Sequence, residues 1–397
     1  MIESVRRAYN AAFTDEQYVR FGESLFTAIG ERATFRLAET PIFLSDELAQ
    51  TLLDSSNAIS RVLADPAVME ATTDAIRPPY WSVPGARDRP LFLQYDFAIC
   101  QRDGRIEPWL IELQGFPSLY FFQVELAQSF RENLPVPTGY SSYFNGFTPA
   151  SYVETLRSVI VGEHNVEEVV LLEIEPEKQN TRIDFRATQN HIKLPTVGLE
   201  DVQREGRELF YQRDGRRIRI RRIYNRVILD ELLQRDMNGY AFSLQEDVDV
   251  EWAGHPDWFL RISKHTLPAL AHLGNVPETI FASDYTAGSL DLAAYVLKPL
   301  FSFSGAGVNI HPTEADIAAL ERPANWIIQR KVAYEPVLET PSGKAKCEVR
   351  MMLLWEPHQA MPQVVNNLVR ITKGEMTGVK YNKDKDWVGA SVAMHRL

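Results

Sequence analysis

Two apolar runs, LFLQYDFAIC and PWLIELQ, flank the turn-forming Arg102-Asp103-Gly104-Arg105, and this pair constrains the fold more than any other feature. Such spacing predicts a β-hairpin from Leu91 to Gln114. Asp96 lies on one strand and Glu112 on the other. Gln114 shares a face with Glu112, because side chains at i and i+2 of a strand point the same way. Antiparallel pairing can set Asp96 opposite them. Three oxygen donors on one face suit Mg²⁺, a hard cation that completes its shell with waters and phosphates. Two solvated acids on an exposed sheet face are the alternative. Glu112 itself sits inside Trp109-Leu110-Ile111-Glu112-Leu113, where a bare carboxylate needs a partner.

The chain has 397 residues, 42 Lys+Arg against 53 Asp+Glu, and a net charge of −11. That length is enough for a large buried core and suggests roughly two to three domains. The acidic balance speaks against a general nucleic-acid binder. No run approaches the ~18 apolar residues of a membrane span. The opening MIESVRRAYNAAF lacks the apolar core of a secretion signal. Cys100 and Cys347 show no metal-ligand spacing. A cytoplasmic protein in a reducing compartment is the expectation.

Residues 1–75 have helical apolar spacing, with Ser45 and Asp46 where a cap belongs. IRPPYWSVPGARDRP is loop. A helix is expected over 118–133. From about 150 the pattern alternates: SYVETLRSVI helix, VEEVVLLEIE strand, NTRIDFRATQNHI helix, LPTVGLEDV strand. That alternation predicts a Rossmann-like layer with parallel pairing. A second hairpin turns at Asp214-Gly215. Beyond about 255, WFLRISKHTLPALAHLG reads as one helix ending near Gly274. AAYVLKPL, WIIQRKV, CEVRMMLLW and VVNNLVRI read as strands. The expected units are 1–135, 136–250 and 251–397.

Three further groupings carry chemistry. In VLKPLFSFSGAGV, Lys298 ends a strand and Ser302, Ser304, Gly305, Ala306 and Gly307 form a small-residue loop. Such loops let backbone N–H groups approach phosphate, although a plain hairpin loop fits as well. Glu348 and Arg350 share a strand face, with Arg370 on a later strand. They suit either an anion site or an ion-paired sheet face. Residues 204–226 hold nine Arg and three acids, more than edge protection requires, and an anionic-substrate site competes with that reading. No HExxH, no GxSxG and no Walker loop is present.

Together these pieces resemble the ATP-grasp superfamily. QYDFAICQRDGRIEPWLIELQGFPSL is similar to its metal-binding hairpin, and VLKPLFSFSGAGV, WIIQRKV, CEVRMMLLW and NNLVRITKG follow in the family's order. The hairpin precedes the lysines here, which resembles the circularly permuted branch containing glutathionylspermidine synthetase and eukaryotic-type glutathione synthetase. The resemblance implies an α+β (α/β) ATP-grasp fold with a Rossmann-like substrate layer. It places Asp96, Glu112 and Gln114 on Mg²⁺. It places Lys264, Lys298, Ser304, Gly305, Ala306, Gly307 and Gln329 on ATP, and Arg350 and Arg370 on the transferred phosphate. Arg219, Arg222 and Arg226 are the candidates for substrate carboxylates. Two positions depart from the family pattern: Gln114 replaces the usual Asn, and Gln94 stands where an Arg is common.

The implied activity is an ATP-dependent carboxylate–amine ligation through an acyl phosphate, on small anionic amino-acid or peptide-like substrates. The partners would be a small carboxylate and an amine, with no nucleic acid and no membrane, in a fold that often forms homodimers. A phosphotransferase and a non-catalytic nucleotide-binding protein on the same fold are the alternatives.

Overall fold

In the computed structural model the expected hairpin is present as Phe92–Arg102 and Arg105–Gln114, with Asp96 directly opposite Glu112 and Gln94 opposite Gln114. All residues are described except 103, 236–239, 302–306, 375–381, 383 and 397. The expected phosphate-loop residues Ser302, Ser304, Gly305 and Ala306 therefore lie outside the described residues.

The hairpin is one edge of a larger antiparallel sheet. Its partners, Gly343–Leu354, Gln363–Thr372 and Gly389–Ser391, come from far along the chain. Register sets Arg350 opposite Asp96 and Arg370 opposite Glu348. Strand alternation then divides the sheet. Leu93, Tyr95, Phe97 and Ile99 join Val349, Met351 and Leu353 in one buried cluster. The helix Asp46–Leu63 covers this face with Leu48, Leu52 and Ile59. Each such burial contributes about 1.5–3 kcal/mol. The cap of this helix is the expected Ser45, whose hydroxyl accepts from the Leu48 N–H. The other face of the sheet carries Gln94, Asp96, Glu348 and Arg350.

The expected parallel layer is present. Glu251–Ala253, Arg222–Asn225, Val169–Glu173 and Thr196–Gly198 pair in that order, all parallel. Helices Pro149–Val161 and Arg182–Ile192 flank these strands in sequence. The second hairpin turns at Asp214 and Gly215, with φ 50° and φ 72°. Positive φ at both central residues is what a tight hairpin turn requires. A third sheet joins Thr279–Phe281, Trp326–Arg330 and Tyr295–Pro299. The described residues contain no helix long and apolar enough to cross a membrane. Cys100 and Cys347 are buried and free.

One expectation fails. The single helix expected over WFLRISKHTLPALAHLG is three short turns: Trp258–Arg261, Lys264–Thr266 and Leu267–Leu270. Ser263 is extended, and its hydroxyl accepts from the His265 N–H, which competes with helix continuation. Instead the Ile262 carbonyl accepts from the Gly115 N–H at 2.9 Å. Glycine is needed there, since a Cβ would lie 2.6 Å from the Trp258 carbonyl oxygen.

Candidate active site

Asp96 is wholly buried, and both of its oxygens are taken. Arg350 donates from Nε to Oδ1 at 2.6 Å and from Nη2 to Oδ2 at 2.7 Å, and Arg370 donates to the same Oδ2. The third nitrogen of Arg350 reaches Gln94 Oε1 at 3.0 Å, and Gln94 donates to the Ser118 carbonyl at 2.8 Å. Arg370 Nε lies 2.9 Å from Glu348 Oε2, and the Tyr334 hydroxyl donates to Glu348. Burial alone would discourage charge on Arg370, but Glu348, Asp96 and Glu112 outweigh it and raise its pKa. Asp96 is therefore the centre of an ion-paired network rather than an open ligand.

Glu112 differs. Lys264 Nζ stands 3.4 Å from one carboxylate oxygen, and Gln114 donates to the other at 3.0 Å. Burial pushes its pKa up, yet Lys264, Arg370, Arg350 and Lys298 together hold it down at about 2. The break before Lys264 is what aims this lysine at the hairpin. Lys298, on Tyr295–Pro299, is desolvated, which lowers its pKa to about 8 against the opposing pull of Glu112. It donates to Gln329 Oε1, and Gln329 donates on to Thr279. Gly307 is at φ 71°, and a Cβ there would crowd Pro299 at 3.1 Å.

Part of this cluster opens onto a cavity of about 1200 Å³. Glu112, Gln114, Lys264, Arg350 and Arg370 all line it. Glu173, Gln179 and Thr181, from the carboxyl edge of the parallel sheet, line another part, where open α/β sheets bind ligands. Burial raises the Glu173 pKa to about 8. Side chains of the helix Asp15–Ile29 supply a further wall, which sequence reading did not assign to the site.

The arginines of the second hairpin are ion-paired throughout. All nine arginines of 204–226 have an acidic partner within 4 Å. Six of them pair with acids outside that segment: Glu246, Asp247, Glu167, Glu168, Glu251 and Asp184. Arg219 pairs with Glu208 and is not on the cavity. Arg222 is also off the cavity; it pairs with Glu251 and donates to the carbonyls of Val159 and Ile160 at the end of a helix. Only Arg226 of the three reaches the cavity. It is held by Asp184 at 2.7 Å and lies over the rings of Phe116 and Phe185.

Asp184 also accepts from the backbone N–H groups of Leu119, Phe121 and Phe122, each at 3.0 Å, so it caps the helix Phe122–Asn133 from outside. Leu119 is pinned by this bond at φ 64°. The left-handed region costs a residue such as leucine about 1–2 kcal/mol. No local sequence signal announces Asp184, because these backbone partners lie 62 to 65 positions earlier.

No family model matches the chain, and no curated protein matches it in sequence. Among solved structures, a glutathione synthetase like-effector (GSS30) from Globodera pallida, in its apoform, superposes with a TM-score of 0.58. The alignment covers 98% of each chain at 11% identity. At that identity the likeness concerns the fold alone: this is a mixed α+β chain whose fold is similar to that effector's.

Proposed function

We propose that the chain is an ATP-dependent carboxylate–amine ligase on a circularly permuted ATP-grasp fold, acting on small anionic, amino-acid or peptide-like substrates. One observation carries the reading. Glu112, held ionised, is ringed by Lys264, Lys298, Arg350 and Arg370, and most of these groups open onto one large cavity. A low-dielectric site with fixed cations is what phosphoryl transfer needs, since its catalysis is positioning and charge neutralisation.

The donor set fits Mg²⁺ in part. Glu112 offers an ionised carboxylate whose contacts, Lys264 at 3.4 Å and the Gln114 amide N–H, are looser than those on Asp96. Gln114 would offer its amide oxygen after a flip of that amide, and Mg²⁺ commonly takes one or two protein oxygens plus phosphates. Asp96 does not fit, because Arg350 and Arg370 occupy both of its oxygens. When bound, Mg²⁺ on Glu112 and Gln114 would neutralise charge between neighbouring phosphates. In this reading Lys264 and Lys298 bind the nucleotide phosphates, and Gln329 holds Lys298 in place. Arg350 and Arg370, fixed by Asp96 and Glu348, face the group in transit. The substrate carboxylate attacks the γ-phosphorus, and ADP leaves. The amine then attacks the acyl carbon, sheds a proton as the C–N bond forms, and displaces phosphate.

The test is ADP release on adding candidate acids and amines with Mg-ATP, together with identification of the product. A stable phosphorylated product would replace ligation by plain phosphotransfer. Full turnover by Glu112→Ala would remove this assignment. A non-catalytic nucleotide binder is favoured by the closure of Asp96 and by glutamine at position 94. Mg-ATP raising the melting temperature without any ADP release would select it.

A further inference from the structure

We propose that the cavity wall built by the helix Asp15–Ile29 and Leu119 is a specificity slot for a large apolar side chain, aromatic or branched aliphatic, on the substrate. The substrate rests on the ligase reading, whereas the slot rests on the geometry of the cavity wall.

Three local departures from stability line this one cavity. Val19 is 62% exposed and Phe26 is 38% exposed. A single exposed apolar side chain is ordinary, but these two are among the four large ones left exposed in the described residues. They are seven residues apart on the helix, so they share a face, and both line the cavity. Between them on that face is Gly22, which also lines the cavity. Glycine inside a helix is destabilising, and nothing in the packing demands it here, since a Cβ would meet no atom within 4 Å. Its consequence is room between Val19 and Phe26. Leu119, the third element, is held at positive φ by Asp184 and lines the same cavity. Exposed apolar groups, a missing side chain and a strained backbone have no common structural benefit. They do have one as a lined, open apolar recess.

The recess is continuous with the charged end. The same cavity that Val19, Gly22 and Phe26 line also reaches Glu112, Lys264 and Arg350. Its volume is about 1200 Å³. Ordinary small-ligand pockets span roughly 300–1,000 Å³, so there is space here beside a nucleotide's phosphates. Phe26 is steadied by Arg32, whose guanidinium lies 4.5 Å above its ring while pairing with Glu23 at 2.9 Å. A ligand with its carboxylate at the cationic end would lay an apolar side chain against this wall.

Titration calorimetry on the full chain with Mg²⁺ and a non-hydrolysable ATP analogue tests the proposal. The probes are glycine, alanine, leucine, phenylalanine and tryptophan, and the glycyl dipeptide of each. The wild type is expected to bind leucine-, phenylalanine- or tryptophan-bearing probes at least ten-fold tighter than the glycine and alanine ones. Gly22→Phe, which fills the recess, should reduce that preference to less than two-fold. Gly22→Ala, which leaves most of it open, should keep it, and circular dichroism checks that both variants are folded. Equal affinity across the panel, or an undiminished preference in Gly22→Phe, overturns the slot. So does a dimer in sedimentation that Phe26→Asp dissociates, because the exposed face would then be an interface. Slot preference without ADP release overturns ligation and leaves the slot standing; ADP release with no preference does the reverse.

Discussion

Arg350 grips Asp96 with two arms of its guanidinium, Nε to Oδ1 at 2.6 Å and Nη2 to Oδ2 at 2.7 Å, across adjacent strands whose register sets the two residues opposite each other. This pair turns a carboxylate that resembles a metal ligand into the brace of two arginines. Glu112, opposite Asp96 on the other side, keeps the role facing the cavity.

The two carboxylates should therefore respond in opposite ways to neutral replacement. Asp96→Asn strips the buried Arg350 of its charge partner and should cost about 3–5 kcal/mol of stability, read from urea unfolding. Glu112→Gln should cost less than about 2 kcal/mol but lower ADP release by on the order of 10²–10³-fold. Equal stability losses in the two variants would contradict this division of roles.

Stability should carry two pH limbs of opposite sign. Glu173 keeps its proton in the fold up to about 8, against 4.5 as its ordinary value, so the native state binds more protons across that window. Stability from this group is complete below the ordinary value and is lost as pH rises toward 8, on the order of 5 kcal/mol. Lys298 releases its proton near 8 in the fold and near 10.5 when unfolded, so its contribution rises with pH between those values. Urea midpoints from pH 5 to 10 should flatten at the low end in Glu173→Gln and at the high end in Lys298→Met. Lys298 also predicts weaker nucleotide binding above pH 8, as its charge is lost.

Gly22→Ala should raise stability by about 0.5–1 kcal/mol, since alanine is the better helix former. The site is helical and open, so the added methyl meets no obstacle. Thermal unfolding reads this directly. A loss instead would mean that Gly22 is required by packing.

Arg219→Gln should leave KM for either substrate within about two-fold and stability within about 0.5 kcal/mol, as expected for an ion pair open to solvent. Its partner Glu208 is partly exposed, and the pair lies off the cavity. Arg226→Ala should behave differently. It leaves the buried Asp184 without its charge partner. Such a loss is expected to cost about 3–5 kcal/mol, measured by chemical denaturation.

Local pattern determined a good deal of this protein. Alternation and the Arg-Asp-Gly-Arg turn fixed the hairpin and put Asp96, Glu112 and Gln114 on one face. The βα alternation after residue 150 gave the parallel sheet, and Ser45 gave a helix start. Each is a short-range rule, written within a few residues by turn geometry, side-chain period and capping. What tertiary structure decided was which charge meets which. Arg350 lies 254 positions from Asp96, and sheet register alone makes them partners. The nine arginines of 204–226 read as a cationic strand until acids pair with them, for six of the nine from other segments. The helix that was expected through Lys264 breaks because Gly115 claims the Ile262 carbonyl. The recess beside Gly22 belongs to a cavity that its helix shares with residues far along the chain. A chain specifies its local geometry by neighbours, but its electrostatics and its cavities by contacts that no neighbour reveals.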